Sequence, residues 1–419
     1  MSDEVWIVAT AATAFGKHVD RGFRALAAEV VHGLAAPFGG GRLPEIDGAW
    51  FGNCAMGHWG QHNIRGQTVL SPLQRDGLLS DRLPVVNVEA GCATGSAAFH
   101  GAVMAVAGGG ARFALALGVE KTIMPDDPAR TFAVFAGGID QRHPDEWSGH
   151  FAAEAAAAGL TWAPDPRRVL FLDVHALQAR HHMARYGTTA AQLAAIASKS
   201  RQAGARNAGA QQRLALSPEQ VLADKPVVAP FTRAMCCPLS DGAAGALLCS
   251  GEALRGLPPE LRAGALRVRG SVLEGGSWRG LDGEAVVQAA AARLWARTGA
   301  SPRDVQLAEV HDATAWCELA ATEALGFCAP GDGGPWAEAG HSAWDGDLPV
   351  NPSGGLLSRG HPLGATGLGQ LHELCQQLRG AAGGHQVPGE KSVGLQHNAG
   401  GLIGLDEALC HLALIERRA

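Results

Sequence analysis

One cysteine and three histidines, each at an abrupt turn that leads into a helix or a glycine-rich loop, are the residues of this chain best placed for covalent chemistry. Cys92 stands in Gly91-Cys92-Ala93-Thr94-Gly95, between the β-branched run at Val85–Val88 and a small-residue run from Ala93 to Val106. The first run reads as a buried strand and the second as a closely packed helix, which places Cys92 on a strand-to-helix turn. Free N–H groups and the dipole at such a helix start favour a thiolate, and can draw a cysteine pKa from about 8.5 toward about 4–7. His311 (in Glu309-Val310-His311-Asp312), His361 (in Gly360-His361-Pro362-Leu363-Gly364) and His397 (in Gln396-His397-Asn398-Ala399-Gly400) sit in similar turns. In α/β proteins such strand ends face the crevice where reactive groups gather. One imidazole beside a thiol can serve as its base, and a second, donating from Nε2, can hold an oxyanion. Taken singly, a cysteine or histidine of this kind is more often a buried structural residue. The four in matching turns are the signal.

The elements that must position them alternate. Val5–Thr10 reads as a first strand, Arg21–Ala35 as an amphipathic helix, Ala49–Asn53 as a strand, and Phe113–Glu120 as a buried strand ending at Glu120-Lys121. From about Lys121 to Pro238 the texture changes to Pro- and Asp-rich turns around helices at Asp173–Tyr186 and Ala190–Ala203. That stretch is too long for a crossover and reads as an inserted helical subdomain. Its arginines Arg201, Arg206 and Arg213 read as a solvated helix face, with phosphate binding as the sharper alternative. A tight turn and buried strand return at 240–249, and Arg267 opens a second unit: strand Arg267–Leu273, helix Gly283–Thr298, strand Gln306–Val310. Two units of like grammar predict an α/β fold built from pseudo-duplicated halves.

Bulk properties narrow the class. With 419 residues, 47% hydrophobic and net charge −6, the chain can bury two cores and offers no case for nucleic acid or an anionic membrane surface. Nine scattered cysteines without a CxxC pair predict free thiols in a reducing, cytoplasmic compartment. The polar opening Met1–Glu4 leads at once into a strand, so no targeting segment is expected, and no apolar run reaches the ~18 residues of a membrane span.

The same motifs carry a family resemblance. Gly91-Cys92-Ala93-Thr94-Gly95, Gly118-Val119-Glu120-Lys121, Cys236-Cys237-Pro238-Leu239-Ser240-Asp241-Gly242, Glu309-Val310-His311-Asp312, Asn351-Pro352-Ser353-Gly354-Gly355 through Gly360-His361-Pro362-Leu363-Gly364-Ala365-Thr366-Gly367, and Gln396-His397-Asn398 resemble the thiolase superfamily. The likeness is nearest to its sterol-carrier-protein type and covers nearly the whole chain in order. It implies a five-layered αβαβα fold, usually dimeric. The N-terminal half would span 1–266, with a loop domain inserted at about 121–238 over the coenzyme A site, and the C-terminal half 267–419. It further implies Cys92 as the acyl-accepting nucleophile, His361 as its activator, His311 as holder of an oxyanion water, and His397, Asn398 and Gly400 as pocket residues. Coenzyme A and an acyl-CoA would be co-substrates, with no metal in this chain.

One position departs from the pattern. In the sterol-carrier type the His-Asp pair is followed by Cys-Phe, and that cysteine handles the α-carbon proton; here the residues are Ala313 and Thr314. Alanine cannot move a proton. Cys317 reads as a packed helix residue, which leaves His397 as the expected substitute. Thiolase-like proteins without this cysteine include enzymes for bulky, branched or aromatic acyl groups, among them benzoylsuccinyl-CoA thiolase, steroid side-chain aldolases and phloroglucinol acyltransferases. Several work with a small zinc-ribbon/OB-fold partner. A tyrosine-pair mechanism is excluded, since Tyr186 is the chain's one tyrosine. The resemblance thus implies an acyl-CoA C-acyltransferase, with a retro-aldolase or aromatic C-acyltransferase, and a non-catalytic acyl-CoA-binding subunit, as alternatives.

Overall fold

A computed structural model describes residues 4–418; Met1–Asp3, most of the polar opening segment, lie outside it, as does Ala419. The strands are β1 (Val5–Ala12), β2 (Gly48–Gly52), β3 (Val85–Val88), β4 (Phe113–Glu120), β5 (Pro226–Val228), β6 (Phe231–Thr232), β7 (Gly242–Ser250), β8 (Leu266–Gly275), β9 (Leu307–Glu309), β10 (Val393–Ile403) and β11 (Asp406–Arg417). All but the β5–β6 hairpin join one sheet in the order β3-β2-β4-β7-β1-β8-β11-β10-β9.

That order is a repeat. From β1 outward, β7 and β4 follow in antiparallel register, then β2 and β3 in parallel. From β8 outward, β11 and β10 follow antiparallel, β9 parallel, and a parallel bridge from Ala308 to Val350 stands where a fifth strand would lie. Within the sheet the halves are joined at Trp6–Arg267 and Ile7–Leu266.

Strand residues alternate between two faces, so each half-sheet buries one set outward and one inward. In the first half Trp6, Val8, Leu115, Leu117 and Leu247 pack outward against the helices Phe23–Ala35 and Arg65–Arg75. In the second, Val272, Ala308, Leu395 and Leu412 pack outward around the helix Val286–Thr298. The inward sets of both halves, among them Ile7, Ala116, Leu248 and Ala413, share one core with the helices Thr94–Ala107 and Leu363–Leu378. Helix, half-sheet, helix pair, half-sheet, helix makes five layers, the arrangement that the family resemblance implied. The stretch between β4 and β7 supplies helices Pro128–Ala136, Pro144–Ala157, Leu170–Tyr186 and Ala190–Arg206. The last three pack on Trp316, Leu319, Leu357, Leu402 and Leu405 of the second half, and the first packs on Ala55 and Leu363.

Candidate active site

Both central helices begin at the crevice between the halves, and their first turns carry the reactive residues. After β3 a short 3-10 turn at Gly91–Ala93 holds Cys92, and the helix starts at Thr94. Gly91 adopts φ +54°, and Gly400 lies so close that a Cβ there would stand 2.5 Å from the Cys92 amide nitrogen. Side chains at either glycine would push the cysteine out of place. Across the crevice His361 immediately precedes the Leu363–Leu378 helix. Its amide donates to Ser240 Oγ (3.0 Å), and Glu120, at the end of β4, accepts from the amides of Gly364, Cys54 and Ala55. Asp312 accepts from the Leu356 amide (2.6 Å) and Glu309 from Ser353 Oγ (2.8 Å), tying the Asn351–Gly355 turn to the His311 loop. The motif carboxylates thus fasten the turns that carry the histidines.

Cys92 Sγ, one ring nitrogen of His311 and one of His361 lie within 4.8 Å of one another. The hydrogen bonds fix what each ring presents. Thr366 Oγ1 donates to the Pro362 carbonyl (2.9 Å), so it accepts from His361 Nδ1 at 2.7 Å. His361 Nδ1 therefore carries the proton, and its Nε2, buried without a partner among the described residues, is a free lone pair. Burial, reinforced by Arg359, holds the imidazole neutral with a pKa lowered to about 3. At His311 the polarity is reversed. Asn398 Nδ2 donates to His311 Nδ1 (2.8 Å), which leaves Nε2–H as the donor facing the crevice. A lone pair and an N–H beside one thiol can act as a base and as an oxyanion donor. A proton on that nitrogen also disfavours a metal at this trio.

The Cys92 thiol differs from the local expectation. Burial, with added repulsion from Glu120 and Glu89, pushes it up to about 12, and the favourable amide of Cys92 itself does not offset this. The resting group is therefore a thiol.

Asn398 is held in turn by residues the sequence reading did not single out. Ser96 Oγ donates to Asn398 Oδ1 (2.9 Å), Gln396 Nε2 donates to Ser96 Oγ (2.9 Å), and His411 Nδ1 donates to Gln396 Oε1 (2.8 Å). Ser271 Oγ then donates to His411 Nε2 and His100 Nδ1 to Ser271 Oγ, both at 2.8 Å. Every donor in this chain points toward His311. The available signal was alternation: Gln396 and His411 are polar residues on the inward face of otherwise apolar strands.

Alternation also separates His397 from Asn398. Asn398 faces the central layer with Gln396, whereas His397 shares the outward face with Leu395 and Ala399. His397 accepts at Nδ1 from the His311 amide (3.4 Å), and burial lowers its pKa to about 3. It lines a cavity of about 280 Å³ behind the site, with Cys317, Trp316 and Glu323. A second cavity, of about 90 Å³, contains Cys92, His311, His361, Ala313 and Gly400, walled by Phe135, Phe171, Leu172, Cys237 and Glu407. Cys317 stays in its helix, its sulfur 3.2 Å from Thr314 Oγ1.

Leu172 and Cys237 also border an open groove of about 760 Å³ that carries Arg201 and Arg233. Arg201, on the helix Ala190–Arg206, is buried with Nε unpartnered, not solvated as the sequence reading favoured. Arg206 stacks instead on Trp344, 4.3 Å from the ring centre, and Arg213 is exposed, between Gln212 and Leu214 of the groove wall.

Comparison with known proteins agrees with this architecture. The thiolase N-terminal domain family matches residues 5–215 and the thiolase C-terminal domain-like family residues 279–409. An acetyl-CoA acetyltransferase of Methanothermobacter thermautotrophicus is 34% identical over 406 residues, covering 96% of this chain and 97% of the relative. The benzoylsuccinyl-CoA thiolase subunit BbsB of Thauera aromatica is 31% identical, covering 95% of each. Among solved structures, an Ltp2-ChsH2(DUF35) aldolase superposes with TM-score 0.75 at 21% identity, over 100% of this chain and 99% of that one.

Proposed function

The chain belongs to the thiolase family of acyl-CoA C-acyltransferases, and on that premise we propose that it cleaves or forms a 3-oxoacyl-CoA with coenzyme A through an acyl-Cys92 intermediate. The observation that carries the reading is the trio: a thiol, a lone-pair imidazole and an N–H imidazole within 4.8 Å. His361 takes the Cys92 proton, and the sulfur attacks the keto carbon while His311 Nε2–H holds the developing oxyanion. The C–C bond then breaks, leaving the acyl group on Cys92 and a coenzyme A ester enolate. Coenzyme A loses its thiol proton to His361 and removes the acyl group. The groove fits this co-substrate: Arg201 and Arg233 suit its phosphates, and the Leu172/Cys237 border leads toward the sulfur. His397 is assigned to the rear wall of the pocket.

The acyl group we assign is bulky, branched or aromatic. Ala313 removes a side chain from the cavity wall, and the BbsB relative is named for a benzoylsuccinyl substrate. The protein acts as a dimer in a reducing cytoplasm; the described cysteines are all free thiols, the edge strand β3 exposes Val86, and no described helix is long and apolar enough to cross a membrane. The test is stoichiometric: thiolysis consumes one coenzyme A per cleavage and Cys92→Ser abolishes it.

The alanine at 313 also favours a second reading, a retro-aldolase or aromatic C-acyltransferase working with a small zinc-ribbon/OB-fold partner. The neighbour whose title pairs Ltp2 with ChsH2(DUF35) supports that assembly. Cleavage that yields a carbonyl compound without consuming coenzyme A selects it. A third reading, a non-catalytic acyl-CoA-binding subunit, is disfavoured by the intact trio.

A further inference from the structure

Cleavage through acyl-Cys92 leaves a carbanion that needs a proton, and neither Ala313 nor His361, which already serves the sulfurs, supplies one. Of the groups walling the Cys92 cavity, Glu407 is the one carboxyl. It lies at the start of β11, paired with Leu402 across the hairpin, and lines the same cavity as Ala313. It also borders the rear cavity, so it stands where the two join.

We propose that Glu407 is the second acid/base of this enzyme, giving a proton to the α-carbon during cleavage and taking one from it during condensation. This rests on the acyl-Cys92 reading above. Its surroundings suit both directions. Burial and the neighbouring Asp406 raise its pKa, while Arg279 lowers it. Arg279 itself is paired with Asp406 at 3.1 Å, so Glu407 is not locked in an ion pair. The other groups lining the cavity fit less well. His175 lies against Cys317 Sγ at 3.5 Å and is held neutral by burial, its pKa lowered to about 4. Cys237 is a thiol that burial and the nearby Cys236, Cys92, Asp312 and Cys317 push well up. His397, expected from sequence to fill this role, faces the other side of β10.

The step balances. The Cys92–carbonyl adduct collapses, the C–C bond's electron pair passes to the α-carbon, and the Glu407 O–H proton follows it, leaving a carboxylate. The proton His361 took from Cys92 is lost to solvent, and Glu407 regains one before the next cycle, so one proton moves in net from sulfur to carbon.

The experiment separates the two halves of the reaction in the full chain. Thiolysis of an aromatic 3-oxoacyl-CoA, benzoylacetyl-CoA, needs the carbon acid; exchange of labelled coenzyme A into benzoyl-CoA needs only Cys92 and His361. Glu407→Gln is expected to slow thiolysis by at least about 100-fold, in the range of a lost general acid, and to keep exchange within about threefold. Cys237→Ala is expected to change both rates together, without the split. Should the Gln variant not fold, Glu407→Asp, one carbon short, shows the same split to a smaller degree. Wild-type thiolysis in Glu407→Gln, equal loss of both rates in folded protein, or the split appearing in Cys237→Ala overturns the assignment. Absence of exchange in the wild type would instead overturn the acyl-Cys92 reading itself.

Discussion

Replacing Thr366 by valine tests whether the tautomer of His361 is what makes it a base. The hydroxyl accepts from His361 Nδ1 at 2.7 Å and donates to the Pro362 carbonyl at 2.9 Å. Valine keeps the shape and removes both bonds. His361 then either leaves a buried N–H unsatisfied, at about 1–3 kcal/mol, or moves its proton to Nε2 and ceases to offer a lone pair to Cys92. By either route kcat/KM is expected to fall about 5- to 150-fold, which is that energy at 1.36 kcal/mol per decade. Thr366→Ser, which restores the hydroxyl, is expected to recover most of the activity. Thiolysis and coenzyme A exchange should fall together, because both use His361, and thermal unfolding separates this from lost stability. A folded Thr366→Val protein within twofold of wild type in both assays would refute the tautomer argument.

Three further outcomes follow. Asn398→Ala frees Nδ1 of His311 and should lower kcat more than it raises KM, by up to the ~10²–10³ that a lost oxyanion donor costs; a pure KM effect in steady-state kinetics would contradict the donor role. Because burial raises the Cys92 thiol to about 12, its alkylation by iodoacetamide in the free enzyme should climb about tenfold per pH unit from 7 to 9; a flat profile would mean a preformed thiolate. A Cβ at Gly118 would lie 2.0 Å from the Gly364 carbonyl, next to the His361 turn, so Gly118→Ala should destabilise the fold by about 1–3 kcal/mol, read as a lowered midpoint of chemical unfolding.

Much of this protein was legible because its signals are local. The strand at Phe113–Glu120 is bounded by its own apolar run, and the Asn351–Gly355 and Gly360–Gly367 blocks announce their turns by composition. The repeat of strand grammar foretold the two halves that the pairing senses reveal. What escaped depends on residues brought together from afar. The helix start beside Cys92 predicts a lowered pKa, but the burial and the carboxylates that raise it come from the folded surroundings. His397 and Asn398 are neighbours in sequence and were read as one wall, yet a strand sends them to opposite faces. Glu407 gave no motif at all; it acquires meaning only from the hairpin that carries it to Ala313.

The central claim is that one sulfur carries the acyl group between two coenzyme A thiols. Incubating the protein with a 3-oxoacyl-CoA in the absence of free coenzyme A, quenching in acid and mapping peptides by mass tests it most directly. The expected result is one acyl group per chain on the peptide containing Cys92, discharged when coenzyme A is added and absent from Cys92→Ala. Substrate cleavage without any acyl mass on that peptide would contradict the claim.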